Sequence, residues 1–274
     1  MRKALLTTLA VLIGAVCLAQ MPLAGADLPE FSSLREAVGD SSQGWRSLFA
    51  GNLDQWRRLG RGGTAMPVTN WEVVGGVSLD PQDSSRLTRT PISSASAAEA
   101  STFVNSVEGK APDLISVTEF ADSELYVEFT VPKGSNAGVC LMGNYEIQIF
   151  DSYGKTDLNY DDNGGIYAGM LDGRRVDGKP PSVNVSRPPG EWQSFHIWFR
   201  APRFDAQGKK VENARFLRVE HNGTVIHENF ELKRPTRFTP PWPERAKAPL
   251  LLQGDHGAVA FRNVYIRDLR TDRP

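Results

Sequence analysis

Along most of the chain apolar and polar residues alternate with a period of two, the pattern of half-buried strands, because successive strand side chains point to opposite faces. Glu124-Leu125-Tyr126-Val127-Glu128-Phe129-Thr130-Val131 is the strictest such run, and Pro132 ends it. Trp71 to Leu79 reads as a strand around Gly75-Gly76. Arg215 to His221 and Thr224 to Phe230 flank Asn222-Gly223, a pair suited to a type I′ turn, so a hairpin is predicted there. The last strand runs from Ala258 to Leu269 with an interruption near Arg262-Asn263. Heptads and twenty-residue repeats are lacking. Many short strands separated by Gly, Pro and Asn turns predict an all-β fold, a two-sheet antiparallel β-sandwich or jelly roll.

Two stretches break the pattern. Pro81 to Pro112 is rich in Ser and Ala and lacks strand periodicity, so it reads as an insertion, with a short helix over Ala95 to Val104 or a surface loop. At the N-terminus Arg2 and Lys3 precede an apolar run from Ala4 to Ala19, and Ala24-Gly25-Ala26 supplies small residues for a signal peptidase. Residues 1–26 therefore read as a secretory signal cleaved before Asp27, which predicts a periplasmic or extracellular protein. A lipid anchor at Cys17 fits less well, because Gly14 and Val16 make a poor lipobox, and the apolar run is short for a membrane span. Residues 27–42 read as a peripheral lead-in and residues 43–274 as one domain.

Composition narrows the function. The 274 residues hold 31 Lys and Arg against 32 Asp and Glu, with no basic stripe or acidic tail, so charge argues against a nucleic-acid partner. Without the signal segment Cys140 is the remaining cysteine, which precludes an intrachain disulfide. It sits in the apolar run Gly138-Val139-Cys140-Leu141-Met142, the setting of a buried inert thiol.

The chemistry concentrates in Tyr145-Glu146-Ile147-Gln148-Ile149-Phe150-Asp151-Ser152, where polar side chains interrupt an apolar strand. Glu146 and Gln148 share one face and Ile147 and Ile149 the other. A bulge around Phe150 would bring Asp151 onto the Glu146 face, and bulges are common beside active sites. An edge strand with a solvated face is the plainer alternative. Gln253-Gly254-Asp255-His256-Gly257 is a second candidate, read either as functional or as a turn in which Asp255 caps its own backbone. His221 and His227 flank the hairpin turn and are expected to face solvent. His196 shares a strand face with Trp192, Ser194, Trp198 and Arg200, and Trp198 is a candidate sugar platform or a surface-packed aromatic. Asp161-Asp162-Asn163-Gly164 lacks the downstream bidentate Glu of an EF-hand and reads as a loop. Phosphate-loop, dinucleotide and Ser-His-Asp signatures do not occur.

Several segments in order resemble one family. Gly44-Trp45-Arg46-Ser47-Leu48-Phe49-Ala50-Gly51 through Trp56 resembles the opening of the 3-keto-disaccharide hydrolase domain family. The resemblance continues in Val131 to Val139, Tyr145 to Tyr153, Gly165-Ile166-Tyr167, Pro188 to Trp192, Ala201 to Phe204, Asn222-Gly223 and Gln253 to Gly257. Departures are the Pro81 to Pro112 stretch and Val139-Cys140, where an Ile-Tyr pair is typical. The resemblance implies a concanavalin A-like lectin/glucanase fold and cleavage of glycosides already oxidised to a ketone at C3.

Such a ketone acidifies the C2 proton, so a base can remove it while the aglycone leaves from C1, water adding afterwards. The reaction needs a base, an acid for the leaving oxygen and an electrophile for the enolate oxygen. Glu146, Asp151 and His256 are the catalytic candidates. Gln148, Gln253, Asp255, Arg262 and Trp198 are candidates for binding substrate, with Arg262 stabilising negative charge. Glu146, Asp151 and His256 are also candidate ligands for a divalent metal cation that would polarise the ketone. Two alternatives stand. A retaining β-glucanase would use Glu146-x-Gln148-x-x-Asp151, although Gln148 cannot supply the central carboxylate, and a noncatalytic carbohydrate-binding module could share the sandwich.

Overall fold

A computed structural model describes residues 38, 40–93, 102–106, 109–236 and 242–269. In chain order β1 to β5 are Arg46–Ser47, Trp56–Leu59, Ala65–Met66, Trp71–Val74 and Gly76–Leu79. Strands β6 to β10 are Leu87–Thr90, Thr102–Asn105, Leu114–Phe120, Ser123–Thr130 and Asn136–Leu141. Strands β11 to β15 are Tyr145–Phe150, Gly169–Leu171, Arg174–Val176, Gln193–Arg200 and Arg203–Phe204. Strands β16 to β20 are Lys210–Glu212, Ala214–His221, Thr224–Leu232, Ala248–Leu252 and Ala260–Asp268. The segments predicted as signal and most of the lead-in lie outside the described residues, as do residues 94–101 and 107–108 of the stretch predicted as inserted.

Two antiparallel sheets carry the fold. The larger has the order β18-β17-β14-β9-β20-β7-β4, with β1 added on β20, and the smaller β11-β10-β19-β8-β2-β3. Their inner faces meet in one core that includes Trp56, Phe103, Phe129, Phe195, Phe261, Ile147 and Leu252. Strand β9 shows why alternation predicted the architecture: Leu125, Val127 and Phe129 enter this core while Glu124, Tyr126 and Glu128 point out. The all-β antiparallel sandwich is thus the observed fold. Among the described residues no helix is long and apolar enough to cross a membrane.

The outer face of the larger sheet is covered as well. Glu124 accepts hydrogen bonds from Arg267 and pairs with His196 Nε2 at 2.9 Å, and Val38 and Trp45 pack with Tyr126 there. Lone buried charges are costly, and this pairing satisfies them.

Several sequence expectations are refined. The Trp71 to Leu79 run is two strands, because Gly75 turns the chain so tightly that a Cβ there would stand 2.7 Å from the Pro91 carbonyl oxygen. The hairpin is as predicted, with Asn222 and Gly223 both at positive φ (50° and 78°), as a type I′ turn requires. The interruption in the last strand is a register shift against β9 between Arg262 and Tyr265, with Asn263 at φ 49°.

Two corrections follow from burial. The short helix or surface loop read over Ala95 to Val104 is wrong where that stretch is described, since Thr102–Asn105 is a strand between β4 and β20, buried at every position. A strand covered on both faces shows no alternation to read. His221 and His227 do not face solvent either. His221 packs beside Phe129 and Phe195, and its Nε2 lies 2.9 Å from Gln193 Oε1, while His227 Nε2 lies 2.7 Å from the Gly164 carbonyl oxygen.

Candidate active site

Strand β11 forms the edge of the smaller sheet, and its register with β10 is regular from Tyr145↔Leu141 to Phe150↔Asn136. Tyr145, Ile147 and Ile149 enter the core, so Glu146 and Gln148 point out over the sheet. Glu146 is nearly buried there, at 3 % exposure. The space comes from Gly138 on the neighbouring strand, where an added Cβ would stand 2.2 Å from Glu146 Oε1. A glycine inside a strand often marks such a close approach. Gln148 Nε2 reaches Asn136 Oδ1 at 3.4 Å and the Asp161 carbonyl at 3.3 Å, which fixes its amide.

The register extends the site across the sheet. Gln253 follows β19 and donates its N–H to the Gly138 carbonyl at 2.9 Å, placing it beside Glu146 and Gln148. Its side-chain Oε1 is buried and has no hydrogen-bond partner. A buried acceptor left without a donor costs about 1–3 kcal/mol. One row along, Cys140, Leu251 and Ile115 form an apolar floor against which Trp242 packs. Trp242 is held from both sides by Asn144, which donates Nδ2–H to its carbonyl and accepts its N–H, each at 2.9 Å.

The loop after Gln253 carries His256. Its Nδ1 makes a very short hydrogen bond with Asp255 Oδ1. That bond raises the His256 pKa; burial lowers it, and the charges of Asp255, Asp113 and Glu146 raise it further. The loop is rigidly placed. Buried Asn105 donates to the carbonyls of Gly254 at 2.9 Å and Gly257 at 2.6 Å and accepts the Val259 N–H at 2.9 Å. Asp113 takes the Gly254 N–H at 3.0 Å, and the Ser135 hydroxyl donates to the Ala258 carbonyl at 2.6 Å.

Tyr167 completes the surroundings of Glu146. Its N–H donates to the Glu146 carbonyl at 3.2 Å. Burial pushes its phenol pKa up, Arg175 opposes that, and the Glu146 charge adds to the rise. The phenol thus stays protonated and can donate a hydrogen bond.

The structure places Glu146, Gln148 and Gln253 side by side, with Asp255 and His256 on the loop that follows Gln253, and leaves three expected residues elsewhere. Asp151 does not join the Glu146 face: no bulge forms, Phe150 occupies the next outward position, and the Asp151 carboxylate accepts the Gly134 N–H at 2.9 Å. Trp198 lies on the larger sheet, stacked on His196 at 3.8 Å. Arg262 is on that sheet too, bound to Glu128 and lying 4.1 Å from the Trp192 ring centroid. Among the described residues no three His, Cys, Asp or Glu side chains gather to hold a metal ion, so Glu146, Asp151 and His256 are not the ligand set the sequence suggested. The Asp162 carboxylate is taken by Lys155, the Ser152 hydroxyl and the Asn159 N–H, which makes it a loop clamp.

The model of the 3-keto-alpha-glucoside-1,2-lyase-like domain matches residues 44–267. The chain belongs to that family. It is a family of carbohydrate-active proteins, and Glu146, Tyr167, Gln253 and His256 all lie within the matched region. No curated protein matches the chain in sequence. Among solved structures, a candidate glycosyl hydrolase of Parabacteroides distasonis ATCC 8503 is 24 % identical with a TM-score of 0.57, over 82 % of this chain and 84 % of that one. A second candidate glycosyl hydrolase of the same organism is 16 % identical with a TM-score of 0.53, over 84 % and 96 %. These two likenesses show a shared fold.

Proposed function

We propose that this family member is an exported enzyme that cleaves 3-keto-glycosides, including 3-keto-disaccharides, by acid-base assisted elimination followed by addition of water. One observation carries the reading: a nearly buried carboxylate, Glu146, points out over the smaller sheet beside Gln253, and the loop that follows Gln253 carries a histidine whose proton affinity Asp255 raises. In this reaction Glu146 removes the C2 proton. The C–H electron pair becomes the C1=C2 bond as the C1–O bond to the aglycone breaks, and His256 gives its proton to the departing oxygen. Tyr167 donates a hydrogen bond to the C3 oxygen, where enolate charge develops. Gln253 Oε1 accepts a sugar hydroxyl, filling its missing hydrogen bond, and Trp242 offers an apolar face to the ring.

A retaining glucanase needs two carboxyl groups about 5–5.5 Å apart. Along β11 the next outward residues after Glu146 are Gln148 and Phe150, which speaks against that alternative.

The experiment is incubation of the purified protein with matched glucosides and 3-ketoglucosides, with and without chelator. Cleavage of the ketoglucosides alone supports the proposal, and cleavage of plain glucosides at an equal rate removes it. The Arg2-Lys3 start, the apolar run and Ala24-Gly25-Ala26 support export to the periplasm or beyond. Mass spectrometry should find Asp27 at the mature N-terminus; retained Met1 or a lipid on Cys17 would contradict this.

A further inference from the structure

A cleft of about 480 Å³ opens beside His256. Three segments far apart in sequence supply its charged walls: Arg86 from the loop before β6, Lys110 from the loop before β8, and Lys133 from the turn after β9. The whole chain has a formal net charge of −1, so this concentration of positive charge is local. No carboxylate is among the described lining residues. Nearby acids are already engaged, Asp83 with Arg86 at 3.5 Å, Asp255 with His256, and Asp151 with the Gly134 N–H. Among the described residues neither Lys110 nor Lys133 has a carboxylate partner. Like charges sharing a cleft repel one another, and an anion bound between them removes that penalty.

We propose that this cleft binds an anionic group, a carboxylate or sulfate, carried by the part of the substrate that leaves as the aglycone. The inference rests on the elimination reading in one respect: His256 stands on the cleft wall, and there it protonates the departing oxygen. The leaving group would therefore lie among Arg86, Lys110 and Lys133. Lysines are flexible point charges without the fixed fork of arginine, so they suit anions of several shapes.

Two measurements test this together. The first compares turnover of phenyl and 4-carboxyphenyl 3-ketoglucosides by the wild-type protein and by the double variant Lys110→Ala/Lys133→Ala. We expect the carboxylate to raise kcat/KM about tenfold at low salt, because exposed ion pairs are individually weak, and the gain to fade as salt screens it. The double variant should lose that gain and keep its rate on the phenyl substrate. Equal kcat/KM for both substrates, or a preference that survives in the double variant, overturns the proposal. The second measurement titrates benzoate while following the His256 ring resonances. Saturable shifts that vanish in the double variant support the anion site even if neither glucoside is cleaved, in which case the elimination reading fails and the site stands. Shifts absent from the wild-type protein overturn the site even if the phenyl substrate is cleaved.

Discussion

The Glu146 carboxylate occupies the space that Gly138 leaves open, with Oε1 only 2.2 Å from where a methyl group at that glycine would be. Gly138→Ala therefore displaces the proposed base while leaving the strand intact. Alanine is favoured over glycine in strands by roughly 0.5–1 kcal/mol, which offsets part of the strain. Turnover should fall about 10²- to 10⁴-fold, the range of a general acid-base group. Thermal unfolding and kinetics on the same sample check this, and normal turnover by the alanine variant would remove Glu146 from the chemistry.

The hydrogen bond that His256 donates to the Asp255 carboxylate is the largest cause of its raised pKa. The imidazolium thus persists to higher pH than an ordinary histidine would allow. In Asp255→Asn that support is lost, and the alkaline limb of the pH-rate profile should move to lower pH. An unchanged limb would mean that another group supplies the proton.

Trp242 and Trp198 test which face binds sugar. Trp242→Ala should raise KM with a smaller change in kcat, and Trp242→Phe should recover part of the loss. Trp198→Ala should leave both constants near wild type, because that ring stacks on His196 across the sandwich. Steady-state kinetics on one ketoglucoside series decides between them.

Asn105→Ala removes three hydrogen bonds that hold the His256 loop. Leaving their partners unsatisfied should cost about 1–3 kcal/mol or more. Denaturant unfolding should show that loss, and turnover should fall with it as His256 loses its fixed position.

His221 and His227 give the protein an acid limit. Burial pushes His221 down to about 3 and, with Lys179 adding to the effect, His227 to about 4. Both stay neutral when folded but bind protons below about 6.5 once unfolded. Their contribution to stability is whole above pH 6.5 and is lost as pH falls toward 4 and 3. Each should remove about 1.4 kcal/mol per pH unit within its window. Urea titrations at stepped pH check this, and His227→Gln should flatten the slope.

How much of this was legible follows from what alternation encodes. The strict run of β9 and the Asn222-Gly223 turn were readable because each is a local signal. Glu146 and Gln148 stood out because polar residues on a covered strand need a reason. Alternation separates the two faces of a strand but does not say which sheet holds it, so Trp198 and Arg262 were singled out, while Trp242, which lies outside any strand, was missed. Asp151 failed for a related reason, since the chain leaves the strand right after Phe150. Asn105, Asp113 and Tyr167 act through contacts made by register and loop closure, and Asn105 sits in a short strand buried on both sides. The match of Gly165-Ile166-Tyr167 to the family was the one signal that could have found Tyr167.

Cys140 sits fully shielded in the floor beneath Trp242. In an oxidising compartment its sulfur is out of reach of any neighbouring molecule as long as the sheet holds. A covalent pair of chains joined through this position can then arise only from molecules that have opened, so such pairs would form a lasting record of unfolding.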